Sequence, residues 1–290
     1  MVIPGKTLAS WSHHRSAMAS VQAHVSIRNA LASYTGWAQD TVFDIFLQGS
    51  YKNATNLQRD SDVDLVVQLS SRIRPRVVGL SGSELQHDQS HIIAYRRWQS
   101  FRAQTLSALR ATYGSSAVIS GHKSLKIAKG NIPAKADVVV TLHYENGLAF
   151  FLPDEHRWVV SYPQQHYERG LHKEEATNNR YKRVIRMFKA ARNYLVQNNE
   201  IQDDTAPSYF IECLLFNVPN EMFRQRLTQS YSGIVDFLLA TNLQQFKCQN
   251  GIRELFGSYR ELWSVNKARR FIRALKRLWD NWPVKSWDKP

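Results

Sequence analysis

Two aspartates separated by one residue, Asp62 and Asp64, open a run of alternating apolar residues. This alternation is typical of a β-strand, in which every second side chain lies on the same face. The two carboxylates therefore share one face about 7 Å apart, while Val63, Leu65 and Val67 point into a core. Carboxylates this close repel each other unless a cation lies between them, and hard oxygen ligands suit Mg²⁺. The pair predicts a magnesium site at the start of the strand.

A glycine–serine pair, Gly49-Ser50, ends the preceding strand-like stretch in what is predicted to be a tight turn. Glycine lets the backbone approach a phosphate closely and adopt a positive φ. The serine hydroxyl and nearby backbone N–H groups can donate hydrogen bonds to phosphate oxygens. A phosphate cradle joined by a short polar loop to a carboxylate pair is a minimal nucleotidyl-transfer site. Within that loop, Asp60 is expected to be a helper or a loop cap and not a metal ligand.

Around these residues the chain resembles the polymerase-β-like nucleotidyltransferases, and the resemblance is carried by Gly49-Ser50-Tyr51, Thr55 and the run from Ser61 to Val67. More narrowly, it is similar to the bacterial cGAS/DncV-like nucleotidyltransferases (CD-NTases), which work in anti-phage CBASS signalling. In that family a third aspartate opens a neighbouring strand and is followed by a hydrophobic run. The matching residue is Asp137, for which a strand-end cap is the alternative role.

The resemblance implies a reaction in which a ribose hydroxyl attacks an α-phosphate and pyrophosphate leaves. Asp62 and Asp64 would bridge two Mg²⁺ ions, with Mn²⁺ as the alternative metal. Asp137 would complete the coordination of the ion that activates the hydroxyl. Gly49 and Ser50 would hold the outer phosphates of the donor nucleotide.

The resemblance also implies nucleotide-binding residues in the C-terminal half of the chain. Lys189 and Ser208 would clasp the triphosphate, and Tyr209 would stack on a base, a contact that contributes ~1–3 kcal/mol. Arg183 and Arg186 are alternatives to Lys189, because the sequence does not fix helix phase to within a residue. The alternative role of Tyr209 is a core aromatic.

Periodicity and resemblance together predict an α+β fold, with a polymerase-β-like catalytic lobe and a C-terminal helical lobe. The catalytic lobe, residues 1–163, would hold a mixed sheet braced by a long N-terminal helix over 7–36, and the helical lobe, 164–290, would close the nucleotide cleft. His166, where the chain passes from the catalytic lobe into the helical lobe, is expected to be a structural hydrogen-bonding residue. Strands are predicted at 41–48, 62–69, 117–119, 124–128 and 136–142. Helices are predicted at 91–113, from 177 onward, at 219–241 and at 252–281. A cluster of helix N-cap residues is predicted at 203–208.

The 290 residues carry a formal net charge of +14 and a pI of about 9.9. We expect this positive charge to bind the triphosphate of a nucleotide. The alternative is nucleic-acid binding, which the basic helices at 177–197 and 266–277 support. Dense like charge on the first of these helices predicts an anionic ligand. Two cysteines, Cys213 and Cys248, are expected to be reduced thiols in a cytoplasmic protein, too few for the zinc insertion of DNA-sensing relatives. No apolar run reaches the roughly 18 residues of a membrane span, and no signal peptide is recognisable.

The leading functional prediction is a bacterial second-messenger synthase that joins ATP or other NTPs into a cyclic di- or oligonucleotide. Its downstream partner would be an effector that binds this product. The alternative is a template-independent nucleotidyltransferase that modifies RNA, tRNA or protein, as a toxin or a tailing enzyme. A catalytically silent RNA-binding module is a third possibility, against which the three aspartates and the Gly-Ser pair argue.

Overall fold

The computed structural model describes residues 2–13, 18–57, 62–70, 89–130, 132–258 and 262–282. These residues form two compact units, which we call the sheet unit and the helical unit. The sheet unit holds residues 18–52 and the described residues from 62 to 163, and the helical unit holds the remainder. The C-terminal half after Pro163 belongs to the helical unit, and segments 2–13 and 53–57 group with it. Asp60, the predicted helper or loop cap, lies outside the described residues.

The helices of the described residues are numbered from α1 to α9 in chain order, and the strands from β1 to β7. They are α1 (Gly5–Ser12), α2 (Met18–Ala32), β1 (Phe43–Leu47), α3 (Gly49–Asn53), β2 (Val63–Leu69), α4 (Gln89–Tyr113), β3 (Val118–Ser120), β4 (Leu125–Ile127), β5 (Ala136–Tyr144), β6 (Gly147–Leu152), β7 (Arg157–Ser161), α5 (Pro163–Ala176), α6 (Tyr181–Gln197), α7 (Ser208–Phe216), α8 (Leu227–Ala240) and α9 (Val265–Asp280).

The sheet unit is built on a mixed sheet in the order β1-β2-β5-β4-β3, with β6 paired to β5 and β7 paired to β6. β2 and β5 run parallel, whereas the other paired strands are antiparallel. The predicted inward residues of β2, Val63, Leu65 and Val67, are fully buried. From α4, Trp98 packs in the same core and donates its indole N–H to the Val140 carbonyl at 2.8 Å. This packing fixes the beginnings of β2 and β5, where the predicted acids lie.

The single long N-terminal helix predicted over 7–36 is wrong, because the described residues form two helices. α1 ends at Ser12, and His13 is extended, with φ −67° and ψ 134°. Leu8 of α1 is buried in the core of the helical unit, whereas Ile27 and Leu31 of α2 are buried in the core of the sheet unit. Apolar residues at helical spacing indicate that a helix has a buried face, but they do not indicate which core covers that face.

The helical unit holds α1 and α5 to α9 around its own apolar core. The starts of these helices were predicted less well. The helical region was predicted to start at 177, whereas α5 begins at Pro163. The helices predicted at 219–241 and 252–281 are longer than the observed α8 and α9. Between α8 and α9 the chain instead makes bridges that join Lys247 to Glu254 and Phe256 to Trp263. Both cysteines are buried free thiols.

The strands β6 and β7 were not predicted from the sequence, which treated that stretch as a connection. β5 and β6 form a hairpin that turns at Glu145, whose φ of 46° is in the left-handed region. Such a turn lacks the Asn-Gly order at its centre that signals a hairpin most strongly. Among the described helices, none combines the length and the apolar character needed to cross a membrane.

Candidate active site

The pairing of β2 with β5 brings two of the predicted acids together. Asp64 lies directly opposite Asp137 in the parallel register. Directly paired residues on neighbouring strands project to the same face, with the strands about 4.8 Å apart. Asp62 precedes β2 by one residue and is exposed. The three predicted metal ligands therefore lie at one edge of the sheet.

Asp137 is half-buried, and one of its two carboxylate oxygens lacks a hydrogen-bond donor among the described residues. Burial raises its pKa, Lys126 lowers it, the neighbouring charge of Asp62 raises it, and a hydrogen bond from Ser124 lowers it, with a net shift upward. Its Oδ1 atom is buried and has no hydrogen-bond partner among the residues described. A buried acceptor without a donor is costly, so this oxygen fits a cation ligand better than the alternative role of a strand-end cap.

Gly49 packs directly against Asp64. Its φ is +67°, and a Cβ added to it would lie 2.1 Å from Asp64 Oδ2, closer than any side chain allows. The Gln48 backbone N–H donates to the Asp64 carbonyl at 2.9 Å, which ties the two segments together. The predicted tight turn is the start of α3, and Ser50 is half-buried in its first turn. The glycine is therefore required by close approach to the acid as well as by its backbone angle.

The donor set at this edge consists of carboxylate oxygens, which suit Mg²⁺ or Mn²⁺ better than a thiol-preferring metal. In the part of the chain that the structure describes, no three acidic, histidine or cysteine side chains are placed to hold a metal as they stand. The orphaned Asp137 Oδ1 and the shared face of Asp64 and Asp137 nevertheless fit a divalent ion.

Two residues beside the acids were not singled out from the sequence. Lys126 of β4 lies directly opposite Asp137 in the antiparallel register, and Ser124 donates a hydrogen bond to Asp137. The alternation of Ser124, Leu125 and Lys126 put the two polar residues on one face of a predicted strand. This alternation could have identified Ser124 and Lys126 as neighbours of Asp137 only if the pairing of β4 with β5 had been known.

Ser208 and Tyr209 lie at the start of α7 in the helical unit. Ser208 is the first helical residue, and its Oγ atom lies 3.4 Å from Arg192 Nη2, which donates to it. Tyr209 is 43% exposed, and its ring stacks on the His166 ring at 5.2 Å, tilted by 26°. The predicted side-chain N-cap is wrong, because the residue before the helix is Pro207 and no side chain caps it. A tyrosine ring with one face supported and part of its surface open can accept a stacked base.

Lys189 is buried rather than exposed to a ligand. Only 2% of its surface is accessible, and its Nζ donates to Glu212 Oε1 at 2.5 Å and to two oxygens of Thr55 at 3.2 Å each. Of its alternatives, Arg186 is also buried and donates to backbone carbonyls, and Arg183 is half-buried. The expectation of an anionic ligand for this helix is wrong for these groups, because oxygens of the protein satisfy Lys189 and Arg186.

The basic C-terminal helix α9 is partly neutralised in the same way. Lys267 lies 2.6 Å from Asp204, and Lys276 lies 3.1 Å from Asp280. These exposed pairs contribute little to stability, but they reduce the positive charge available to a polyanion.

Of the predicted site residues, the sheet unit holds the three acids and the Gly-Ser pair, namely Gly49, Ser50, Asp62, Asp64 and Asp137. The helical unit holds Lys189, Ser208 and Tyr209. Sequence reasoning missed Glu212, whose carboxylate joins Lys189, His166 and Thr55. A single acid in the apolar run of α7 was a signal of a buried, partnered charge.

Comparisons with known proteins show which family the chain resembles. Residues 168–280 match the family described as the cGAS/DncV-like nucleotidyltransferase C-terminal helical domain. A cyclic UMP-AMP synthase from Rhodothermus marinus is 40% identical over 97% of this chain and 99% of its own length. A cyclic nucleotide synthase from Staphylococcus haemolyticus, CdnE01, is 33% identical over 97% of this chain and the whole of its own length.

Solved structures extend the similarity to the fold. The structure of Rhodothermus marinus CdnE c-UMP-AMP synthase with Apcpp and Upnpp superposes with a TM-score of 0.82, at 38% identity over 98% of this chain and 99% of that one. The Elizabethkingia meningoseptica CdnE cyclic dinucleotide synthase with GTP and Apcpp gives a TM-score of 0.77, at 26% identity over 97% of this chain and 100% of that one.

Proposed function

Since this chain belongs to the cGAS/DncV-like nucleotidyltransferase (CD-NTase) family and is a nucleotidyltransferase that makes a cyclic nucleotide from NTPs, we propose that its product is cyclic UMP–AMP. The support for this product is the 40% identity to a cyclic UMP-AMP synthase along nearly the full length of both chains. Relatives named for dipurine or dipyrimidine products are 28–31% identical. The observation that carries the chemistry is the pairing of Asp64 with Asp137 beside Gly49.

Asp62, Asp64 and Asp137 are the proposed ligands of the divalent metal, Mg²⁺ or Mn²⁺, which when bound would offset the charge of the phosphates. Gly49 lets the first turn of α3 approach the outer phosphates, to which Ser50 donates. A ribose hydroxyl of one nucleotide attacks the α-phosphate of the other, pyrophosphate leaves, and a second such step closes the ring. The residues contribute by positioning and by charge, with no covalent intermediate on the protein.

The other predicted nucleotide-binding residues belong to the helical unit. Ser208 donates to the triphosphate, and the open face of Tyr209 stacks on a base, which binds any base without selecting one. Lys189 supports nucleotide binding from its buried position. We place the reaction in the bacterial cytoplasm, where the cyclic product would activate an effector in anti-phage defence.

The test is a product assay with radiolabelled nucleotides and Mg²⁺. We expect a phosphatase-resistant product when UTP and ATP are supplied together, and much less with either alone. Asp62→Ala should abolish this product while the circular dichroism spectrum and thermal midpoint stay unchanged. A product that needs other bases would refute cyclic UMP–AMP, and unchanged turnover in Asp62→Ala would refute the metal assignment. Label that enters only added RNA or protein would refute cyclisation.

A further inference from the structure

The segment 53–55 begins at Asn53, the last residue of α3, and lies between α3 and Asp62 in the chain. It therefore connects the two halves of the nucleotide-binding motif covalently. Ala54 has a φ of 56°, a left-handed conformation that strains any residue other than glycine. Such a conformation persists only where the surroundings hold it. The segment belongs to the helical unit, and the groups that hold it come from α6 and α7.

Glu212 is the centre of these contacts. Glu212 is 3% exposed, and its carboxylate accepts hydrogen bonds from Asn53 Nδ2 at 3.1 Å and Thr55 Oγ1 at 2.7 Å. It also accepts from His166 Nε2 at 2.9 Å and from Lys189 Nζ. Burial raises the pKa of Glu212, but Lys189 and His166 lower it by more, so the pKa lies below its ordinary value. Glu212 is therefore an anion at neutral pH, and four donors surround it.

Lys189 has no donor to spare in this arrangement. An ammonium group has three N–H donors, and the structure provides three acceptors for them: Glu212 Oε1, Thr55 Oγ1 and the Thr55 carbonyl. Arg186 holds the adjacent carbonyl, that of Ala54, at 2.5 Å. A direct contact between Lys189 and a phosphate would break one of these bonds and leave a buried acceptor unpaired.

We propose that Thr55, Glu212 and Lys189 form a clamp that positions α3, and that Lys189 supports nucleotide binding through this clamp and not by contact with phosphate. This inference rests on the proposed function, in which α3 carries the phosphate-binding Gly49-Ser50. A small displacement of α3 would shift the Asp64 carboxylate of the proposed metal site, because Gly49 leaves no space between its backbone and Asp64. Misplacement of a reacting group by about 1 Å can cost 10²-fold in rate.

Thr55→Val is the first test, because valine keeps the shape of threonine and removes the hydroxyl that joins Glu212 to Lys189. We expect the KM for NTP to rise about tenfold or more at a temperature where the variant is fully folded. Thr55→Ser should restore the wild-type KM, since it restores the hydroxyl. The matched control is Thr105→Val, which removes a fully buried hydroxyl bonded to the Phe101 carbonyl in α4 and should leave the KM unchanged. A wild-type KM in Thr55→Val would overturn the proposal.

The second test separates the clamp from a direct phosphate contact. If Lys189 acts through Thr55 and Glu212, the double variant Thr55→Val/Lys189→Met should bind Apcpp no more weakly than Lys189→Met alone. If Lys189 contacts the phosphates directly, the two losses should multiply, and that result would refute the clamp. Apcpp binding is measured by calorimetry without turnover, so a failure of the clamp is distinct from a failure of the proposed product, which the wild-type assay reports.

Discussion

Asp137 has one buried carboxylate oxygen and Glu212 is buried as a whole, and the protein supplies these two acids with different partners. Asp137, at the edge of the sheet, has a raised pKa and one oxygen without a donor among the described residues. Glu212, in the helical unit, has four donors and a lowered pKa. Burial opposes ionisation in both cases, so the difference comes from the neighbouring groups.

This comparison separates a carboxylate that needs a ligand from one that the fold has satisfied. The edge of the sheet places Asp64 and Asp137 on one face, with Asp62 two residues before Asp64, and like charges on one face favour a bound cation. The helical unit pairs its acid with Lys189 and His166, an arrangement that fixes structure instead of binding an ion. The two regions therefore predict opposite responses to mutation.

The largest expected effect is that of Asp64→Asn on activity. The amide keeps the size of the carboxylate and removes its charge, so metal stabilisation of the transition state, worth several kcal/mol, is lost. Turnover should fall by about a thousandfold or more, since each tenfold corresponds to ~1.4 kcal/mol. The thermal midpoint without metal should stay the same or rise, because repulsion among the acids decreases. Turnover within tenfold of wild type would show that Asp64 is not a metal ligand.

Glu212→Ala should act on stability instead. Removal of one member of a buried ion pair leaves Lys189 buried without its counter-charge, which costs about 3–5 kcal/mol of unfolding free energy. Urea denaturation measures this loss. The control, Glu200→Ala, removes an exposed acid 3.8 Å from Arg277 and should cost no more than about 1 kcal/mol. Equal losses in the two variants would contradict the structural role of Glu212.

Gly49→Ala should lower activity by about a hundredfold, because the new Cβ must displace the Asp64 carboxylate or α3. The control is Gly114→Ala, where φ is +88° and nothing lies within 4 Å of the added Cβ. Both variants carry backbone strain of about 1–2 kcal/mol, but only the first should lose turnover. A similar loss in both would attribute the effect to strain alone.

The smallest expected effect concerns stability and pH. Because folding raises the pKa of Asp137, its ionised form destabilises the metal-free protein above the folded pKa, and this penalty disappears as the pH falls below the unfolded value. Asp137→Asn should therefore melt at a higher temperature than wild type at pH 7. The difference should vanish near pH 3, and a difference that persists there would argue against this cause.

Short local patterns carried the predictions of chemistry. Alternation predicted that Asp62 and Asp64 share a face, and the family resemblance selected Asp137; these site assignments stay predictions. The direct pairing of Asp64 with Asp137 depends on strand register between distant segments, which local pattern does not encode. The buried position of Lys189 was missed for a similar reason: its acceptors lie on α7 and in segment 53–55, and helix periodicity reports a buried face without naming what covers it.

The most direct test of the three-aspartate metal site is the binding of Mn²⁺ in the presence of Apcpp, measured by paramagnetic titration. Wild type should bind Mn²⁺, whereas Asp64→Asn and Asp137→Asn should each lose at least about tenfold in affinity, the lower range for loss of a group that supports a metal site. Asp154→Asn, a change of an acid that is 75% exposed in the sheet unit, should bind like wild type. Equal affinity in all four proteins would contradict the claim that these aspartates form the metal site.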